Sequence, residues 1–129
     1  MARITQLTVS AQSKPGVLAT VCAALARAGV NITAVCAAES SGRGRIRLVV
    51  SDPARAKQAL TAAKIRCGEE PALLLSLDDR PGALAAVAAR LASAKVNIKC
   101  AYATVASAGA PAKVVVSVAN SEKAERALG

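Results

Sequence analysis

The residues of this chain whose types and spacing could do chemistry stand in a stretch that occurs twice. Lys14-Pro15-Gly16-Val17-Leu18 returns 66 residues later as Arg80-Pro81-Gly82-Ala83-Leu84, and an Asn-Ile pair follows each at the same distance, Asn31-Ile32 and Asn97-Ile98. Val21/Val87, Leu25/Leu91, Ala28/Ala94 and Val30/Val96 keep that offset, so the chain reads as two copies of one unit. Each copy joins the end of a strand to the start of a helix. Proline fits the first helical turn, where its missing N–H was an orphan donor in any case, and glycine removes the Cβ where the chain turns sharply. Such a junction leaves free backbone N–H groups at the positive end of a helix, which suits a carboxylate or a phosphate. An ordinary tight strand-to-helix turn uses the same residues, and one Pro-Gly alone does not separate the two readings.

The elements that must position these loops follow from periodicity. Ile4 to Ala11 has strand character, with Ile4, Leu7 and Val9 apolar, and Gln12-Ser13-Lys14 leads into a helix running to about Ala28. Leu18, Val21, Cys22 and Leu25 recur at helical spacing, and Gly29 stands where a left-handed cap is favoured. A second strand opens at Asn31, the turn Ser40 to Gly44 returns it, and Arg45-Ile46-Arg47-Leu48-Val49-Val50 follows with clean alternation. Ser51-Asp52-Pro53 starts a helix whose buried stripe is Ala56, Ala59, Leu60 and Ala63, and Lys64 to Gly68 is a short strand.

Glu69-Glu70-Pro71 is the candidate boundary, too short for a flexible linker. The second copy reads as a strand over 72–77, a helix over 82–94, a hairpin of Val96 to Val105 with Lys113 to Ala119, and a helix over 120–128. The fold class expected is α+β. It comprises two ferredoxin-like βαββαβ units, 1–70 and 71–129, each an antiparallel sheet with helices on one face, the second lacking its last strand. That leaves the 72–77 strand with an unpaired neighbour position, and an apolar edge of this kind is an association hazard. A strand from the first unit or from a second subunit is expected to cover it.

Composition narrows the function classes. With 129 residues, 53% of them hydrophobic, the chain can bury a core. No run of about 18 uncharged apolar residues occurs, and the start goes straight into a strand pattern, so no membrane partner and a cytoplasmic location are expected. Cys22, Cys36, Cys67 and Cys100 are scattered with no CxxC, and no histidine is present to complete a metal site or a Cys–His pair. The cysteines read as small reduced core residues. Without histidine the commonest general base near neutral pH is missing, no GxxxxGK loop occurs, and the adjacent pairs Asp78-Asp79 and Glu69-Glu70 would point apart in extended chain. The reading is not an enzyme, with no cofactor and no metal.

The net charge of +9 is uneven, because residues 1–66 hold ten cationic side chains against Glu39 and Asp52. Such a face could meet an anionic partner or simply be solvated. Nucleic-acid-binding sheets stack bases on aromatic side chains, and this chain offers Tyr102 with no Phe or Trp, which argues against nucleic acid.

The order strand, x-x-Pro-Gly-x-Leu, helix, Asn-Ile and next strand, present twice over essentially the whole chain, resembles the ACT-domain family of small-molecule-binding regulatory modules, in its stand-alone tandem form. The resemblance implies regulatory binding of an amino acid at an interface of two ACT units, with the Pro-Gly loop of one facing the early second strand of the other. Carried over by motif position, one site pairs Asp79, Arg80, Gly82, Ala83 and Leu84 with Asn31 and Ile32. The other pairs Ser13, Lys14, Gly16, Val17 and Leu18 with Asn97 and Ile98.

An amino-acid zwitterion fits these types. Amides at Ala83 and Leu84 could hold the carboxylate, Asp79 could accept from the ammonium, and Asn31 or Asn97 could bridge polar groups. Ser13 and Lys14 replace the acidic residue in the first loop, so that site is expected to prefer a different ligand or to stay empty. The expected function is therefore an amino-acid sensor that passes occupancy to a regulated enzyme or to its own association as a homodimer. The alternative is a basic scaffold for nucleic acid or an acidic protein partner.

Overall fold

The computed structural model describes residues 1–104 and 107–129. Its elements, in chain order, are β1 (Ala2–Gln12), α1 (Val17–Arg27), β2 (Ile32–Ser40), β3 (Arg43–Val50), α2 (Pro53–Ala62), β4 (Gly68–Leu77), α3 (Ala83–Ser93), β5 (Ile98–Thr104), β6 (Ala112–Val118) and α4 (Ser121–Leu128). The expected βαββαβ succession is present, and the β1–β3, β2–β3, β4–β6 and β5–β6 pairings are antiparallel. The end of the expected strand at Val105 and the turn residue Ala106 lie outside the described residues.

Contacts divide the chain into two compact units, Thr5–Glu70 and Met1–Ile4 with Pro71–Gly129. In the first unit the strand order is β2-β3-β1-β4. Alternation decides which face is buried. Leu7 and Val9 of β1 and Ile46, Leu48 and Val50 of β3 join Val21, Ala24 and Leu25 of α1 and Ala56 and Leu60 of α2 in one core. Arg43 and Arg45 take the opposite register and are exposed. In the α2 stripe, Ala56 and Leu60 are buried, Ala59 is half-buried and Ala63 is exposed.

In the second unit the order is β1-β4-β6-β5, with residues 2–4 supplying the β1 portion. No strand follows α4 within Pro71–Gly129, and the chain's own amino-terminal residues occupy the place beside β4. Arg3 fixes this arrangement by donating from Nε and Nη2 to both Glu125 carboxylate oxygens, at 2.9 and 3.0 Å. That hydrogen bond, more than charge alone, holds the Glu125 carboxyl below the usual carboxylate range and raises Arg3. Because the carboxylate is favoured in the fold, its contribution is present at neutral pH and is lost as pH falls through the depressed value. The core comprises Leu73 and Leu75 of β4, Leu91 of α3, Val114, Val116 and Val118 of β6, and Ala124 of α4.

The helix ends explain two departures from expectation. Gly29, at φ +72°, closes α1, with Val30 N donating to the Leu25 carbonyl and Gly29 N to that of Ala26, both at 3.0 Å. α2 ends in the same motif, with Lys64 at φ +60° in glycine's place. Residues 64–67 therefore form a cap and connection rather than a strand. β4 begins at Gly68 and runs unbroken through Glu69-Glu70-Pro71, so the expected boundary residues lie inside a strand. Pro71 is tolerated there because the β6 pairing covers Leu73–Leu77 and asks no N–H of it. The four cysteines form no disulfide among the described residues and are half-buried rather than deep in the core, and burial pushes the Cys67 thiol upward.

Leu25 and Leu91 are the repeat-related anchors, and neither is exposed to solvent. Leu25→Ala and Leu91→Ala are each expected to cost about 2–5 kcal/mol, from lost burial and the cavity left behind. Urea unfolding followed by circular dichroism measures this. A loss well under 1 kcal/mol at either position would show that helix not to be packed as described.

Candidate functional site

The first junction is tied down before it turns. β1 ends at Gln12, and the Ser13 amide donates to the Gly42 carbonyl at 2.9 Å, anchoring the loop to the β2–β3 turn. Lys14 and Pro15 follow, and Gly16 caps α1 in a left-handed conformation, φ +92° and ψ −6°, with no side chain satisfying the helix end. Nothing lies within 4 Å of where a Gly16 Cβ would be. The Thr20 amide and hydroxyl both donate to the Gly16 carbonyl at 2.9 Å. The Val17 amide reaches the Lys14 carbonyl only at 3.5 Å, and the amides of Leu18 and Ala19 have no partner among the described residues.

The second junction repeats this geometry. Gly82 caps α3 at φ +89° and ψ −12°, again without a side-chain cap and with open space above it. The Ala83 amide donates to the Arg80 carbonyl at 3.3 Å, so the two free donors are those of Leu84 and Ala85, one position further along than the sequence suggests. The loop is held from within: the Arg80 amide donates to the Asp78 carbonyl at 2.9 Å, and its guanidinium Nε lies 3.4 Å from the Asp78 carboxylate. That ion pair leaves the Asp79 carboxylate exposed, with no partner among the described residues.

The strand entrances are also built alike. Asn31 exchanges backbone bonds with Ser51, its amide donating to Oγ at 3.0 Å and its carbonyl accepting from the Ser51 amide at 2.9 Å. The Asn97 carbonyl accepts from the Ala119 amide at 3.1 Å. Both asparagine side chains are thereby left exposed and unbonded among the described residues. Ile32 and Ile98 turn inward onto the two cores and pin the entrances in place. Immediately afterwards both strands slip register, between Ile32 and Ala34 and between Ile98 and Cys100. Such bulges re-aim side chains beside functional sites, and the sequence did not reveal them. Thr33 inside the first bulge donates its hydroxyl to the Val49 carbonyl at 3.0 Å.

Leu18 and Leu84 continue their helical stripes, yet they are 42% and 49% exposed. Each therefore presents an apolar surface beside free amides. A pocket of about 440 Å³ in the first unit is lined by Lys14, Pro15, Gly16 and Val17, by apolar Val9, Val21 and Ile65, and by Lys64 and Arg66. Among the described residues, no group of three or more His, Cys, Asp or Glu side chains is placed to hold a metal ion, and no helix is long and apolar enough to cross a membrane.

Two ferredoxin-like units in tandem, each opening its first helix through an uncapped left-handed glycine, have the architecture of an ACT domain pair. The ACT domain pair family matches residues 2–128, and the chain belongs to it. No curated protein matches the chain. Protein BT0572 from Bacteroides thetaiotaomicron is 31% identical, with a TM-score of 0.90 over 98% of this chain and 86% of that one. The ligand-free regulatory subunit of aspartate kinase from Thermus thermophilus is 20% identical, with a TM-score of 0.69 over 99% of this chain and 93% of that one. The latter likeness is one of fold.

The two capping glycines make a direct test of the junctions. Gly16→Ala and Gly82→Ala place a Cβ in open space, so the expected penalty is conformational alone, about 1–2 kcal/mol each. Chemical denaturation measures it. Unchanged stability in both variants would show that neither helix is entered through a left-handed residue.

Proposed function

We propose that this chain is a regulatory module that senses an amino acid, with the Pro-Gly junctions as its receptor elements. The observation that carries this reading is the second junction, where the loop bearing the free Asp79 carboxylate runs into the first turn of α3, with its two unbonded amides and exposed Leu84. The ligand's carboxylate is bound by the Leu84 and Ala85 amides, its ammonium by Asp79, and its side chain lies against apolar surface. An entrance carrying Asn31 and Ile32, or Asn97 and Ile98, completes each half-site.

Binding is passed on through association. A ligand that binds one assembled state better stabilises it in proportion to that difference. The function is regulatory rather than catalytic, and the receiving protein is an enzyme of amino-acid metabolism or a second copy of this chain in a cytoplasmic homodimer. Supporting the second copy, β2 and β5 end the strand orders of their units, and β2 carries Val35 at 47% exposure with no proline to block pairing. A basic scaffold is the second reading, favoured by exposed Arg43 and Arg45 on one side of β3.

Thermal unfolding with a panel of the common amino acids separates the two. A cognate amino acid at 100 times its dissociation constant should add about 2.7 kcal/mol of stability. Asp79→Asn should remove the response while leaving the unliganded midpoint unchanged. No response to any amino acid, together with salt-sensitive retention on nucleic acid, would replace the sensor with the scaffold.

A further inference from the structure

We propose that the pocket of the first unit is an anion site of its own, receiving a small organic molecule that carries a doubly charged group, a phosphate monoester or a dicarboxylate. The pocket shares Lys14, Gly16 and Val17 with the first Pro-Gly junction, but every residue it uses lies within Thr5–Glu70 and none belongs to the Asp79 loop, so it does not need the amino-acid reading of that second loop. The pocket is about 440 Å³, larger than a bare phosphate, and Val9, Val21 and Ile65 give it apolar walls for an organic body. Lys14, Lys64 and Arg66 all line it, and no acidic side chain among the described residues does.

None of these three pocket-lining cations is neutralised by an ion pair among the described residues. Elsewhere in the unit Arg47 faces Glu70 at 3.9 Å, Lys57 pairs with Glu69 at 3.1 Å, and Arg43 donates to the Ser10 hydroxyl at 3.2 Å. The side chains of Lys14, Lys64 and Arg66 have no hydrogen-bond or ion-pair partner among the described residues. Their convergence is built by the fold. The cap that ends α2 holds Lys64 at φ +60° and turns the connection so that Lys64 and Arg66 return to the same pocket as Lys14. Gly16 lines the pocket too, and no atom of the described residues lies within 4 Å of where its Cβ would be. A dianion matches the charge of three cations lining one pocket better than a monoanion does.

The repeat sharpens the point. Gln12 and Ser13 of the first loop correspond to Asp78 and Asp79 of the second, so the junctions share a backbone and differ in charge. The first is receptive to anions, the second to an ammonium.

Inorganic phosphate, methyl phosphate and succinate, titrated at constant ionic strength against a chloride control, test the site by calorimetry and thermal unfolding of the full chain. Saturable binding of phosphate and methyl phosphate identifies the phosphate source, and binding of succinate the dicarboxylate. Lys64→Asn, chosen because asparagine tolerates the left-handed conformation, and Arg66→Gln should each weaken binding about tenfold or more, whereas Lys57→Gln should not. The proposal is overturned if all three anions behave as chloride does, or if both pocket variants bind as tightly as the parent. The probes carry no amino group, so this outcome is independent of any amino-acid response.

Discussion

The structure depends on one constraint: each unit enters its first helix through a residue that must be left-handed and has no side chain to cap the turn. Gly16 and Gly82 meet it at φ +92° and +89°. A helix that begins this way has donors it cannot satisfy internally, and the usual remedy, an oxygen-bearing side chain, is missing. The same chain does cap its other helices, with Asp52 accepting from the Arg55 amide and Asn120 from that of Lys123. The uncapped state is therefore specific to the two junctions, and the donors there are available to something outside the chain.

The remaining elements hold these donors rigid and leave the loops short. The first loop is anchored through Ser13 to the Gly42 carbonyl, and the second closes on itself through Asp78 and Arg80. Behind each lies an apolar core anchored by Leu25 or Leu91. The duplicated backbone is what the two units share. Their chemistry has diverged, because the first surrounds its junction with unpaired cations and the second leaves a carboxylate free.

Much of this was legible in the sequence, and the part that was not has physical reasons. The offset between the repeats exposed the junctions, because Pro-Gly and Asn-Ile perform local backbone tasks that few other residues can. Caps at Gly29 and Asp52 were readable for the same reason. Lys64 was not, since a lysine in the left-handed region follows from the cap in which the Ile65 amide reaches back to the Leu60 carbonyl, not from its own preference. Nor was the course of β4, where Pro71 and two glutamates look like a break but occupy a stretch that the β6 pairing does not use. Periodicity placed Leu18 and Leu84 on the apolar stripes correctly, yet a stripe does not say where the covering core ends. The bulges after Ile32 and Ile98 depend on register with a neighbouring strand, which a single segment does not encode. The open flank of β4 was readable as a need, and residues 2–4 meet it from the far end of the chain.

The claim that the uncapped junctions are receptors is tested most directly by amide-resolved NMR during titration with amino acids. The account predicts that a binding amino acid produces its largest saturable amide shifts at Leu84 and Ala85, with Asp79→Asn abolishing them. Saturable shifts that spare those amides and fall elsewhere would contradict it, and would place the ligand at a surface these helix ends do not serve.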